Sequence, residues 1–304
     1  MTDAPPLSHR PLWQTLARNR TALASLIVLG VVVLAALAGP WLMPESASQI
    51  SDNQFAPPSW EHPFGTDIHG YDLLYRVLSG ARVSLAVGLA GALVALGVGT
   101  TWGLVSGYAG GRVDGAMMRI VEVLYAVPRL IILLVAINAF DKPMKEWLLS
   151  MEWERLIPYS RILILILALG LIEWLTMARI VRGQVLALKS QTFVTAARAL
   201  GQSHWKILAR HLLPNLIGIV VVYLTLTVPA VILDESFLSF LGLGIQAPQA
   251  SWGSLLADGA QAINPVRSYW WLLVFPAVAM SVTLLALNFL GDALRDALDP
   301  RERR

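Results

Sequence analysis

Four stretches of this chain, Ala22 to Met43, Val83 to Tyr108, Leu212 to Leu233 and Tyr269 to Leu290, run without a single charged side chain. A helix of about 20 apolar residues crosses a bilayer core, so each stretch is a membrane span. Ile120 to Phe140, which holds Glu122 and Arg129, and Ile162 to Ile180, which holds Glu173 and Arg179, are apolar enough elsewhere to insert as well. Only 14% of the 304 residues are charged, against roughly 25% in soluble domains, so the chain cannot cover itself with polar surface. The segments between the runs are too short for an independent soluble domain. The expected architecture is an all-α integral membrane protein with about six transmembrane helices. They fall at about 22–43, 83–108, 113–140, 160–181, 212–234 and 269–291, within one domain over 22–291. A cytoplasmic N-terminal segment over 1–21 and a cytoplasmic tail over 292–304 flank it.

Arg18 and Arg20 ahead of an apolar run, with Ala36-Leu37-Ala38 further on, resemble a signal peptide and its cleavage site. The run continues through Trp41 to Met43, which suits a retained anchor better. Within the leader, Leu12, Trp13 and Leu16 share a helical face after Pro11, a pattern suited to lying in the membrane interface. Lys and Arg in the short loops set orientation. With the N-terminus in the cytoplasm that side holds fifteen of them and the other side seven, Arg129 lying inside a span. Both termini are therefore expected in the cytoplasm. The basic balance reports topology, because the charges are scattered rather than gathered on a face that nucleic acid could use.

Much chemistry is missing. With no cysteine there is no thiolate nucleophile, thiolate metal site or disulfide. No stretch fits G-x-x-x-x-G-K-[ST], so ATP, if used, must be handled by a partner. No G-x-S-x-G elbow occurs. The nearest approach to a metal cluster, His62, Asp67, His69 and Asp72, reads better as hydrogen-bonded loop residues, and no metal site is expected. Charges within spans are functional candidates by default. Of these, Glu122, Arg179, Asp234 and Glu235 are placed near span ends, where they reach water, and Arg129 and Glu173 are placed deep, with a structural ion pair favoured over a transport role.

The segment Arg182 to Asn215, RGQVLALKSQTFVTAARALGQSHWKILARHLLPN, is too polar to enter the membrane and strongly helical. Ala196, Ala197, Ala199 and Gly201 permit close approach to another surface, and Gly201 suits a helix end with positive φ. A second helix is expected from Ser203, with Trp205, Leu208 and Leu212 on one face, and Pro214 suits the first turn of the next span. This is an amphipathic hairpin joined to two membrane helices, suited to passing force from a soluble partner.

The stretch TAARALGQSHWKILARHLLPN resembles the EAA loop of binding-protein-dependent ABC importer permeases, with an alanine pair, a glycine four residues beyond it and a later Leu-Pro. HPFGTDIHGYDLLYRVLSGARVSL, from His62 to Leu85, and ESFLSFLGLGIQAPQASWGSLL, from Glu235 to Leu256, are similar to segments of the C-type peptide-importer permeases, the OppC/DppC family. The R-x-V-R-G run at Arg179 to Gly183 extends the match from the first span to the last. The chain departs from the family at Thr195, where a glutamate is usual, at Tyr71, where an arginine is common, and in the long hydrophilic insert Asp141 to Arg161 with Trp147 and Trp153.

The resemblance implies the type I ABC importer permease fold, with a coupling helix in the cytoplasm and residence in a bacterial cytoplasmic (inner) membrane. The implied partners are a homologous second permease, two ATP-binding subunits and an extracytoplasmic solute-binding protein. ATP and Mg would sit in the ATPase subunits and no cofactor in this chain, which would not itself be catalytic. Ala196, Ala197, Leu200, Gly201 and Pro214 are the implied coupling residues, with Ala197, Leu200 and Gly201 docking in an ATPase groove. Asp67, Asp72 and Trp252 are nominated to meet the binding protein or form the outer gate, and Gly65, Gly242 and Gly244 to form turns. Gly88, Gly91, Gly97, Gly99 and Gly103 fit close packing at the interface between permeases. Peptides or related small solutes are the implied cargo. A secondary transporter working alone and a membrane enzyme acting on lipid-linked substrates are the competing classes. The first lacks a visible inverted repeat, the second a cluster of catalytic groups.

Overall fold

The computed structural model describes residues 19–247, 249–263 and 266–298. The expected interfacial helix over Leu12 to Leu16 and the end of the tail, 299–304, lie outside these residues. Every regular element among the described residues is helical: α1 Arg20–Leu42, α2 Leu73–Ala109, α3 Gly111–Ala126, α4 Arg129–Ser150, α5 Ser160–Leu188, α6 Thr192–Ala199, α7 His204–Phe240, α8 Trp252–Gln261 and α9 Trp271–Leu298, with short 3-10 turns at Glu45–Ser48 and Glu154–Tyr159. Five of them, α1, α2, α5, α7 and α9, are each long and apolar enough to cross a membrane. The protein is therefore a multi-pass membrane protein.

The stretch read as one third span is two helices. α3 and α4 meet at an angle of 89°. Pro128 has no N–H to continue the ladder and forces the residue before it out of the helical region; Val127 is extended, at φ −84° and ψ 129°. The insert at Asp141 to Arg161 is ordered as well. α4 carries its first half as far as Ser150, with Lys142–Glu146 and Lys145–Asp141 ion pairs along the helix, and the Trp147 and Trp153 rings meet edge to face at 5.8 Å.

α2 and α5 form the most extensive helix pair, and small residues set its closeness. A Cβ on Gly103 would lie 2.6 Å from the carbonyl oxygen of Ala178, and one on Gly99 2.7 Å from that of Trp174. Gly91 and Gly88 face Val231 and Ile232 of α7 in the same way. The sequence reading put all five glycines at the interface between permeases; Gly88, Gly91, Gly99 and Gly103 pack within the chain instead, and Gly97 has no neighbouring atom within 4 Å. α1 lies at the edge of the bundle against α2 and α9, mostly exposed, and its apolar surface suits lipid.

Both ends of the bundle carry structured non-spanning segments. On one side the loop 43–72, the turn after α7 and helix α8 form a cap. Phe55 stacks on Tyr269 at 4.5 Å, Phe64 on Phe275 at 4.0 Å, and Trp252 and Trp271 are buried in the cluster beneath. On the other side α6 and the start of α7 form a hairpin. Val194, Ala197, Ile207 and Leu212 pack there with Leu104 of α2 and Val181 and Val185 of α5.

Candidate functional site

The hairpin turns at Gly201, whose φ of +73° is the left-handed value that a side chain resists. The expected second helix starts at His204 and does not stop before the membrane. It runs on as α7 for 37 residues to Phe240, through one wide π turn at Leu208–Leu212 just ahead of Pro214. Ala196, Leu200, Gly201 and Pro214 are exposed, Leu200 by 80% at the tip. Ala197 is buried against the chain's own core, so it supports the hairpin from inside and its methyl is not on the docking face. The hairpin is tied to the bundle. Tyr108 of α2 bonds the Nδ1 of His204 at 2.8 Å, Arg198 lies over the Tyr108 ring at 5.0 Å, and Lys189 donates to the carbonyl of Gly107 at 2.8 Å.

In the cap, Asp67, Asp72 and Trp252 are all buried. Asp67 accepts from the amides of His69 and Tyr71, at 2.8 and 2.9 Å, and faces Arg76 at 3.4 Å. Asp72 caps α2 by accepting from the amide of Tyr75 and pairs with His62 at 2.9 Å. Trp252 donates its indole N–H to the carbonyl of Val77 and its amide to Ser84. The three shape the cap from within and do not form its outer surface. His62, Asp67, His69 and Asp72 are thus engaged in loop hydrogen bonds and ion pairs. Gly65 and Gly242 turn the chain at φ of +78° and +75°, whereas Gly244 lets the backbone approach Ser239.

Asp258 of α8 completes the cap's charges, 4.0 Å from Arg76. Burial pushes its carboxyl above the usual range, against the pull of Arg76 and His69.

Glu235 overturns the expectation that it reaches water near a span end. It is 0% exposed, accepts from Ser84 at 3.2 Å and Ser239 at 2.7 Å, and through Ser84 is linked to the amide of Trp252. The cap folds over the end of α7 and seals it. Asp234 is likewise buried, at 6%, and it meets the two residues read as deep. Arg129 at the start of α4 lies 3.4 Å from Glu173 of α5 and contacts Asp234 of α7. The sequence showed each charge but not their meeting, because 105 residues separate Arg129 from Asp234. Arg182 of the R-x-V-R-G run makes a two-pronged bond to Asp114, at 2.6 and 2.7 Å, and Arg179 covers the Tyr125 ring at 4.0 Å. Both arginines thus tie α5 to α3. Asp114 drew no attention in the sequence, since one acid in a loop-to-helix stretch carries no local signal.

An apolar helical bundle with a hairpin tied to it at one end and a buried polar cap at the other is the frame of a multi-pass membrane protein, and no cluster of catalytic groups accompanies it among the described residues. The chain belongs to the family of binding-protein-dependent transport system inner membrane components, whose sequence model matches residues 99–304. The N-terminal transmembrane domain of oligopeptide transport permease C matches residues 10–58. Among similar proteins are the oligopeptide transport system permease protein OppC of Escherichia coli (strain K12), 46% identical over 97% of this chain and 93% of that one, and OppC of Haemophilus influenzae, 42% identical over 98% and 91%. The dipeptide transport system permease protein DppC of Bacillus subtilis (strain 168) is 43% identical over 99% and 88%. A solved chain of the MetNI methionine ABC transporter, in an inward facing conformation, aligns over 75% of this chain and 98% of its own, with a TM-score of 0.53 at 16% identity. At that identity the likeness concerns the fold, which is that of an ABC importer permease. The chain is accordingly a transport subunit and not an enzyme, from a family without a cofactor of its own, working in systems that combine permeases, ATPases and a binding protein.

Proposed function

We propose that this chain is the C-type permease subunit of a peptide importer. It forms half of the translocation pathway with a homologous second permease, takes di- or oligopeptides from an extracytoplasmic binding protein at the cap, and receives force from two ATPase subunits that hold ATP and Mg. Both termini and the hairpin lie in the cytoplasm of a bacterium, the membrane being its cytoplasmic one. The observation that carries the reading is the hairpin itself: an exposed tip at Leu200 and Gly201 on a rigid base, continuous with a helix that reaches the cap. At 1.5 Å per residue, the 37 residues of α7 extend about 55 Å. ATPase closure that moves the hairpin is passed along α7 toward Asp234 and Glu235 at the far end. The π turn at Leu208–Leu212 and Pro229 are the places along it where a helix bends at least cost.

In this reading Ala196, Leu200 and Gly201 meet the ATPase groove, Ala197 and Pro214 hold the helices behind them, and Asp67, Asp72 and Trp252 hold the cap that the binding protein meets. The test is purification of the chain with its co-encoded neighbours, followed by ATPase assays with and without a peptide-loaded binding protein. A complex of two permeases and two ATPases, stimulated by the loaded protein, is expected, and Gly201→Trp is expected to abolish the stimulation while the permeases still assemble. Full stimulation in Gly201→Trp would remove the hairpin tip from the coupling surface. A lone protein that transports without ATP would replace the importer by a secondary carrier.

A further inference from the structure

Arg129, Glu173 and Asp234 converge from three helices, α4, α5 and α7, with two carboxylates on one guanidinium. Fully ionised, the group carries a surplus negative charge. Glu173 lies near the midpoint of α5 and Asp234 within two turns of the cap end of α7, so the surplus sits toward the cap side of the bundle. The second carboxylate oxygen of Asp234 is buried and accepts no hydrogen bond, although the residue is 94% enclosed. The Arg129 side chain, in contrast, is 54% exposed. Charges within membranes face a bundle interior, a partner or a water-filled space, not lipid, so the open side of Arg129 faces water or a neighbouring subunit. Beside Arg129 and Glu173 lies a cavity of about 200 Å³ with mostly apolar walls, among them Tyr125, Pro128, Ile132 and Ile172; Asp234 lies behind Arg129 and is not one of its lining residues.

A closed cluster of one guanidinium and two ionised carboxylates leaves both the surplus charge and the second oxygen of Asp234 unmatched. Both are complementary to a primary ammonium, which brings one positive charge and three N–H donors. Resting on the peptide-importer reading, we propose that Arg129, Glu173 and Asp234 form a station in the pathway that recognises an ammonium group of the passing cargo, whether the α-amino end of a peptide or a lysine side chain. The ammonium enters by the cavity and donates to Glu173, and it reaches Asp234 as Arg129, on its half-exposed side chain, swings outward. Because Asp234 shares α7 with the coupling hairpin, movement of that helix relative to α5 separates the two carboxylates and releases the ammonium. Specificity at this step is added to that of the binding protein.

The test uses the whole importer in liposomes, with peptides presented as matched pairs: lysine against norleucine at one position, and a free against an acetylated N-terminus. Uptake of each is compared at saturating binding protein, whose own affinity for each peptide is measured separately. Wild type is expected to favour the ammonium-bearing member of a pair by about tenfold, and the pair that shows it identifies which ammonium is read. In Glu173→Gln/Asp234→Asn the preference is expected to fall to about one. The triple variant with Arg129→Gln leaves no orphan charge and is expected to give the same ratio. An unchanged preference in these variants, no preference in wild type, or an equal loss for both members of each pair in both variants would overturn the proposal and leave the triad structural. Uptake of no peptide at all by wild type, with ATPase still stimulated by another loaded binding protein, would overturn the peptide reading instead.

Discussion

Arg182 grips Asp114 with two parallel hydrogen bonds, Nε to Oδ1 at 2.6 Å and Nη2 to Oδ2 at 2.7 Å, and Ser106 adds a third to the same carboxylate at 2.5 Å. One acid thus joins α2, α3 and α5 on the hairpin side of the bundle. Removing one partner leaves a largely enclosed charge alone, so Arg182→Gln and Asp114→Asn are each expected to cost about 2–4 kcal/mol. The double variant should cost less than the sum of the two. Thermal unfolding of the purified complex, read as a double-mutant cycle, measures the coupling; simple additivity would show that the pair contributes nothing.

Gly103 and Gly97 lie on the same helix and predict opposite outcomes. Gly103→Val drives a side chain into the Ala178 carbonyl and the Val181 side chain, at a cost of about 1–3 kcal/mol. Gly97→Ala meets nothing within 4 Å and is expected to stabilise the isolated permease by up to about 1 kcal/mol, the cost of glycine against alanine inside a helix. Melting curves of the two variants decide this, and a Gly97→Ala that weakens only the assembled complex would place Gly97 against the second permease.

Pro40 cannot donate to the carbonyl of Ala36, and Arg82 of α2 donates to that carbonyl instead at 2.5 Å, with a second bond to Leu37. Arg82→Ala is expected to loosen α1 from α2 by about 1–3 kcal/mol. Adding Pro40→Ala, which restores the helical donor, is expected to recover part of the loss. Protease sensitivity of the loop after α1 follows the effect, and no recovery in the double variant would sever the link between the two residues.

Asp258 gives the cap a pH dependence of definite sign. Its carboxyl holds its proton to higher pH in the folded cap than in an unfolded chain, so the folded state binds more protons across that interval. The contribution is fully present below the ordinary carboxylate range, near pH 4, and is lost as pH rises through the elevated value. Hydrogen exchange of the α8 amides, taken relative to the intrinsic rate at each pH, is expected to accelerate over that interval, and Asp258→Asn to flatten the profile there. A wild-type profile that slows instead would reverse the assignment.

The chain's membrane class was legible because hydropathy is a local property: each span must satisfy its own backbone and present its own apolar surface to lipid. The hairpin was legible for a similar reason, since small residues, Gly201 and an amphipathic run lie within one short segment. The break at Val127–Pro128 was written in the sequence too, but an apolar run masks a proline when only composition is weighed. Burial of Ala197, Asp67, Asp72, Trp252 and Glu235 was not legible, because polarity and position in a loop say nothing about what folds over them.

What the sequence alone determined is therefore five of the spans, the hairpin and the family resemblance. Tertiary structure alone decided the partners. Asp114 meets Arg182 across 68 residues, Arg129 meets Asp234 across 105 and Ser84 meets Glu235 across 151. Charges buried at such depth are tolerated only in company, and company is a matter of how helices pack. The close approach of α2 to α5 at Gly99 and Gly103 and the turn of the chain at Pro128 bring them within reach, which no local pattern encodes.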